Sequence, residues 1–259
     1  MSTRGACGHS QLKSTFGAAA ENLYFDETSK ENELPLTLAL VIDTSPSIQP
    51  VFNAEKRTAI LFLRSILRPM DLATVIGFDR SVTLMEDFTQ NSTCLAAAIR
   101  DLEIGGGTSL FDAVYLAAKD RLSAEAGRKA IILISDGDDT TSKLKQTDAL
   151  TAAHQSDAVI YSIYITPPRG SRQRRGLGSL RKLSEETGGG FYSLNSETDF
   201  KSIFDQIGRE LRSQYSLGYK STNTAHDGKY RRIRILPRDR SLMIRARQGY
   251  YPPRDYVSQ

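Results

Sequence analysis

Apolar and polar positions along the chain form blocks that predict strands and helices in alternation. Apolar runs of strand length occupy residues 36–42, 72–78, 129–135, 158–165 and 191–194. Amphipathic segments with helical spacing lie between or after these runs, at 51–67, 92–102, 110–122, 148–155, 180–186 and 199–212. This order predicts an α/β fold in which a doubly wound, mostly parallel sheet carries helices on both faces.

Two departures from that alternation add to the prediction. The segment 81–88 follows the second run after a two-residue connection, which predicts an antiparallel strand at the edge of the sheet. From residue 213 onward the period changes to two, at 215–219, 231–236 and 242–247. These three segments predict a small C-terminal antiparallel β appendage whose apolar face packs on the α/β part, near the helix at 199–212.

The pattern divides the chain into a leader at 1–33, an α/β domain at 34–212 and the appendage at 213–259. The leader is rich in Gly, Ala, Ser and Thr, and residues 21–25 spell ENLYF, most of a protease-tag site. We expect it to be disordered or tag-derived. It lacks the apolar region of a signal peptide, and no run reaches the roughly 18 apolar residues of a membrane helix. The chain as written is expected to be soluble, and secreted or periplasmic if a native targeting segment was removed.

Composition narrows the class of protein. The chain is 39% hydrophobic and 25% charged, as in soluble globular proteins. Its two cysteines, Cys7 and Cys94, are far apart in sequence and indicate neither a disulfide framework nor a cysteine metal site. The net charge is +4, and residues 212–259 carry an excess of Lys and Arg. This excess is explained either by an acidic partner or by strand faces that are exposed to solvent.

Oxygen-bearing side chains follow two of the predicted strands and one glycine loop. Asp43, Ser45 and Ser47 come directly after the first run, Asp136 follows the run at 129–135, and Thr108 follows three glycines. Parallel sheets bind ligands beyond the carboxyl ends of their strands, and carboxylate and hydroxyl oxygens suit a hard cation such as Mg²⁺. A turn with a helix N-cap would also explain Ser and Asp at such positions.

Two other ligand loops fail in detail. A dinucleotide fingerprint starting at Gly105 would require glycine where Leu110 stands, and the chain contains no Gly-Lys-Ser or Gly-Lys-Thr of a P-loop. A calcium loop starting at Asp136 would require Gly and Glu where Thr141 and Thr147 stand.

Together, the Asp-x-Ser-x-Ser stretch at 43–47, the distant Thr108 and the distant Asp136 resemble the metal-ion-dependent adhesion site of von Willebrand factor type A domains. The tail sequences YSLGYKS, RRIRILP and IRARQGYY are similar to those of a bacterial group related to this domain. The resemblance implies a six-stranded sheet. It also implies that Ser45 and Ser47 ligate the metal directly, Thr108 directly or through water, and Asp43 and Asp136 mainly through water.

These features favour a metal-dependent protein-binding module over an enzyme. A site for Mg²⁺ (or Mn²⁺ or Ca²⁺) with few direct protein ligands keeps a coordination position that a carboxylate of an Asp or Glu on a partner protein can fill. The alternative is a metal-assisted hydrolase, for which Asp138 and Asp139 are the spare carboxylates. His9, His154 and His226 are not placed at strand ends.

Arginines in two places suggest a further alternative, a nucleic-acid surface. Arg232 and Arg234 alternate with isoleucines, and four arginines occupy the loop at 167–178, which is expected to be exposed and mobile. Alternation of this kind is also what an exposed strand face requires, so no nucleic-acid partner is expected.

Overall fold

The computed structural model describes residues 12–16, 19–23, 27–30, 34–166, 175–194, 199–218, 227–237 and 243–252, together with 221, 223, 225, 239 and 241. Cys7, His9, His226 and the loop arginines Arg169, Arg172 and Arg174 lie outside these residues. Within the described ranges, none of the helices combines the length and apolarity needed to cross a bilayer.

Strands and helices alternate as the sequence predicts. The strands are β1 (Leu12–Phe16), β2 (Ala19–Leu23), β3 (Glu27–Lys30), β4 (Leu36–Asp43), β5 (Leu72–Phe78), β6 (Val82–Thr89), β7 (Arg128–Ser135), β8 (Ala158–Ile165), β9 (Phe191–Leu194), β10 (Tyr215–Gly218), β11 (Arg231–Arg232) and β12 (Gly249–Tyr250). The helices are α1 (Phe52–Ile66), α2 (Ser92–Arg100), α3 (Leu110–Tyr115), α4 (Gln146–Gln155), α5 (Arg175–Thr187) and α6 (Asp199–Arg212).

Six of the strands form one sheet, in the spatial order β6, β5, β4, β7, β8, β9. β4 pairs in parallel with β5 on one side and with β7 on the other, and β8 and β9 continue the parallel arrangement. β6 pairs antiparallel with β5 and lies at the edge. The α/β fold class and the antiparallel edge strand are therefore confirmed.

Both faces of the sheet are covered, which explains why β4 is apolar at nearly every position. Leu38, Leu40 and Ile42 point into a core built with α1, α2 and α6. Ala39 and Val41 point into a second core built with α3, α4 and α5. Burial of each large apolar side chain contributes about 1.5–3 kcal/mol relative to exposure, so the two cores fix the register of β4.

Local boundaries differ from the sequence prediction at two helices. Asn91, rather than Ser92 or Thr93, caps α2, because its side-chain oxygen accepts a hydrogen bond from Thr93 N at 2.9 Å. α5 begins at Arg175 and not at Leu180, so the C-terminal part of the predicted arginine loop is helical. The remainder of that loop, residues 167–174, lies outside the described residues.

The appendage is present, but its strands pair differently from the prediction. β10 pairs antiparallel with β3 of the leader segment, whereas β11 pairs with β12. The predicted strand at 242–247 is not formed, since the described part of it, 243–247, contains no strand. A single three-stranded unit is therefore wrong, and two short antiparallel pairs replace it.

The C-terminal pair rests mainly on α4 and α5 rather than on α6. Gln248 N donates a hydrogen bond of 2.9 Å to the carbonyl of Glu186, and His154 of α4 packs against the rings of Tyr230 and Tyr251. Burial lowers the pKa of His154 to about 4, with Arg247 adding to the effect. Towards α6, the described residues form an ion pair between Arg245 and Glu210, at 2.7 Å.

Candidate metal centre

The loop after β4 begins with a buried carboxylate and two adjacent hydroxyls. Asp43 is fully buried, and its Oδ1 accepts a hydrogen bond from Ser45 N at 2.8 Å. A short 3₁₀ turn at Pro46–Ile48 places the hydroxyls of Ser45 and Ser47 3.0 Å apart. Adjacent ligands of an octahedral Mg²⁺ at its usual bond lengths are about 2.9 Å apart, so the two hydroxyls have the spacing of neighbouring ligands.

The glycine loop that carries Thr108 is hydrogen-bonded to the loop of Asp43. Gly105 N donates to the carbonyl of Thr44 at 2.9 Å, which joins the glycine loop to the loop of Asp43. Gly107 has a φ of +83°, a left-handed conformation that glycine adopts without strain. Thr108 is buried, and its carbonyl accepts hydrogen bonds from the backbone of Thr140 and Thr141. The backbone of Thr108 is therefore held from two sides.

Asp136 contributes the second carboxylate from the end of β7. Its side chain is buried, and Oδ1 accepts a hydrogen bond from Asp138 N at 3.1 Å. Its Oδ2 is buried and has no hydrogen-bond partner among the described residues. A buried carboxylate oxygen left unpaired is costly, and a cation or its water shell would satisfy it.

Asp43 and Asp136 are close enough to influence each other electrostatically. Burial raises the pKa of Asp43 to about 7, hydrogen bonds from Ser135 and Ser45 oppose the shift, and the charge of Asp136 adds to it. A bound cation would relieve this repulsion. The described residues contain no cluster of three or more His, Cys, Asp or Glu suited to a metal, so the hydroxyls are needed to complete this donor set.

Sequence reasoning missed Ser135 at this site. Its hydroxyl donates to Oδ2 of Asp43 at 2.5 Å and accepts from Gly137 N at 2.8 Å. Both oxygens of Asp43 therefore already accept a hydrogen bond from the protein. Ser135 ends the run KAIILIS immediately before Asp136, which is the one signal in the sequence that could have identified it.

Glu55 was also missed, although it lies near the same carboxylate. It is fully buried on α1, and neither side-chain oxygen has a hydrogen-bond partner. Burial, followed by the charge of Asp43, raises the pKa of Glu55 well above its ordinary value. The signal was its position three residues after Phe52 and four before Ala59, on the apolar stripe of the helix.

Asp139, named above as a spare carboxylate for a hydrolase, is already used to hold the site together. Its Oδ1 accepts hydrogen bonds from Leu110 N at 3.0 Å and from the Ser142 hydroxyl at 2.5 Å. Asp139 thereby caps α3, the helix that follows Thr108. This arrangement gives Asp139 a structural role.

Residues 38–138 match the family model described as von Willebrand factor type A domain. The six-stranded order and the antiparallel edge strand are shared with solved structures of that fold. The chain contains a von Willebrand factor type A domain. A curated relative, an uncharacterized protein of Synechocystis sp., is 30% identical over 111 residues, 42% of this chain and 26% of its own length. The chain thus matches about a quarter of that relative.

Solved structures share the fold of this von Willebrand factor type A domain at low sequence identity. BatB from Bacteroides thetaiotaomicron is 19% identical, with a TM-score of 0.55, and the match covers 69% of this chain and 100% of BatB. The tip protein Mfa5 of type V pili from Porphyromonas gingivalis is 14% identical, with a TM-score of 0.55, and the match covers 70% of this chain and 97% of the Mfa5 chain. Proximal thread matrix protein 1 from the mussel byssus, with a zinc-occupied MIDAS motif, is 16% identical, with a TM-score of 0.60. That match covers 74% of this chain and 49% of the byssus protein.

Proposed function

We propose that this von Willebrand factor type A domain binds a divalent cation, Mg²⁺ or else Mn²⁺ or Ca²⁺, and through it a carboxylate of a partner protein. The residues that hold the cation are Asp43, Ser45, Ser47, Thr108 and Asp136. The observation that carries the proposal is the buried Oδ2 of Asp136, which has no hydrogen-bond partner among the described residues. Asp136 follows β7, the strand beside β4, and β4 ends at Asp43, a carboxyl whose pKa is raised.

The division of roles follows from what each oxygen already contacts. The distance of 3.0 Å between the hydroxyls of Ser45 and Ser47 supports a role for both as adjacent direct ligands. Both oxygens of Asp43 are engaged, by Ser45 N and Ser135, which favours a role for Asp43 through cation-bound water. Two carboxylates balance the charge of a dication, and the bound cation supplies a coordination position for an external carboxylate.

Binding through a cation explains why the side chains at the site are buried yet polar. The zinc-occupied site of the mussel byssus protein shows that this fold accommodates a divalent cation, and extending that property to the present chain is part of the proposal. Of the two spare carboxylates named for a hydrolase, Asp139 is engaged in capping α3, which weighs against that alternative.

Titration with Mn²⁺ tests the proposal. Bound Mn²⁺ with exchangeable water enhances water proton relaxation, and a blocked glutamate peptide that displaces this water lowers the enhancement. Asp136→Asn keeps the acceptor for Asp138 N and is expected to weaken Mn²⁺ binding at least tenfold. Asp101→Asn, on an exposed residue after α2, is the control. Equal Mn²⁺ affinity of Asp136→Asn, Asp101→Asn and the unchanged protein would disprove the site.

A further inference from the structure

The turn between β5 and β6, residues 79–81, lies against the glycine loop that carries Thr108. Ser109 N donates to the carbonyl of Asp79 at 2.7 Å, and the Ser109 hydroxyl donates to the carbonyl of Arg80 at 2.8 Å. The side chain of Asp79 accepts hydrogen bonds from Ser81 N at 2.8 Å and from Gly106 N at 3.3 Å. These contacts hold the backbone of the turn in place next to the proposed metal site.

Arg80 is the residue at the tip of this turn, and its side chain is exposed. No hydrogen bond or ion pair of its guanidinium is found among the described residues, whereas its carbonyl is fully used by Ser109. A Cβ placed on Gly107 would lie 3.2 Å from the Cβ of Arg80. The arginine stem therefore starts beside Gly107, one residue before Thr108.

The charge of Arg80 complements the ligand that the proposed function requires. The carboxylates of Asp43 and Asp136 balance a dication, so the bound site is close to neutral and Arg80 adds a positive charge at its rim. A guanidinium binds carboxylates with two parallel hydrogen bonds, and an arginine without an ion-pair partner has no competing acid to release.

We propose that Arg80 binds a second acidic side chain of the partner, so that the domain selects a segment with two neighbouring carboxylates. One carboxylate reaches the cation and the other reaches Arg80. This inference rests on the proposed function, because the first carboxylate needs the cation. It adds the chemical class of partner, an acidic peptide segment of a protein.

Blocked peptides test the inference on the whole chain. One peptide carries a single Glu among glycines, a second carries two adjacent Glu residues, and a third carries Glu followed by Lys. Their affinities are measured with Mn²⁺ by the loss of water relaxation enhancement. Exposed arginine–carboxylate pairs strengthen binding up to about fivefold, so the peptide with two Glu should exceed the peptide with one by about that factor.

Variants separate a local contact from general charge. Arg80→Gln is expected to remove the preference for the peptide with two Glu residues without changing Mn²⁺ affinity. Arg80→Glu should instead prefer the Glu-Lys peptide. Arg64→Gln, on an exposed residue near the C-terminal end of α1, is the matched control and should keep the preference.

Each outcome decides between the two proposals. Equal binding of the first two peptides by the unchanged protein, or the same preference in Arg80→Gln, would overturn the role of Arg80 while leaving the proposed function standing. Absence of binding by any peptide in Mn²⁺ would overturn both. The full pattern, including the switch in Arg80→Glu, would support the acidic-segment partner, since a structural role of Arg80 predicts no such switch.

Discussion

Replacement of Glu55 by Gln should stabilise the cation-free protein at neutral pH. Glu55 is fully buried, and its two unpaired oxygens lie within the electrostatic influence of Asp43. The folded protein therefore retains the Glu55 proton at a pH where the unfolded chain has released it. Glutamine has nearly the same shape and carries no titrating proton, so it removes this difference between the two states.

The sign and the size of the effect follow from proton linkage. Because the folded-state pKa of Glu55 is raised, its contribution to stability is complete below its ordinary value of 4.5 and is lost as the pH rises. One proton corresponds to about 1.4 kcal/mol per pH unit. The stability advantage of Glu55→Gln should then grow with pH above 4.5, by up to about 1.4 kcal/mol per pH unit, until the folded protein also releases the Glu55 proton.

Urea unfolding followed by circular dichroism, with chelator present, measures this difference. The chain has no tryptophan, so backbone dichroism is the suitable signal. Glu103→Gln, on an exposed residue, controls for loss of charge at a surface. A stability difference that stays constant with pH would refute the reasoning about Glu55.

Three further predictions concern the site and the appendage. Gly107→Val should weaken Mn²⁺ binding and lower the stability of the fold by about 1–3 kcal/mol, because φ is +83° and the new Cβ would crowd Arg80. Gly106→Val should bind Mn²⁺ normally, because a Cβ there meets open space, and calorimetry compares the two variants. Mn²⁺ affinity should fall up to about tenfold per pH unit below pH 7, since the cation competes with the Asp43 proton; a flat titration profile would contradict this. Deletion of residues 213–259 should lower the melting temperature and uncover His154, yet leave Mn²⁺ binding measurable.

Most of the α/β body could be predicted from the sequence because its strands are apolar on both faces. The predicted bounds of β5, β8, β9 and α6 agree with the structure residue for residue. Burial on two faces leaves few alternatives for such segments, and the helices between them dictate parallel pairing. The adjacent glycines before Thr108 differ in a way that sequence does not reveal, because Gly107 adopts a positive φ whereas a Cβ on Gly106 would meet open space.

The appendage was harder to predict because its strands are short. Alternation at 215–219 indicates an extended segment but does not identify its partner, and that partner, β3, belongs to the leader at the other end of the chain. Pairing of short strands depends on contacts distant in sequence, which periodicity does not encode.

The candidate site shows a related limit. The sequence pattern identifies the candidate ligands, but it does not identify Ser135 and Glu55, which lie near Asp43. Asp43, Ser45, Ser47, Thr108 and Asp136 follow strand ends or a glycine loop, and the fold brings their loops to one edge of the sheet. The proposal that these residues bind a cation awaits the Mn²⁺ titration.

Glu55 does not follow a strand end or a glycine loop. It lies on the apolar stripe of α1, where it interrupts the run of apolar positions. Buried carboxyls that lack partners oppose folding on their own, and burial of several near one another increases that cost. The unpaired oxygens of Glu55 and Asp136 therefore lower the stability of the cation-free domain, and the burial of Asp43 near both residues adds to this cost. A cation that binds only the folded state recovers part of this loss, by about 2.7 kcal/mol at a hundred times its dissociation constant. Stability and cation binding would then be linked through the carboxylates of Asp43 and Asp136.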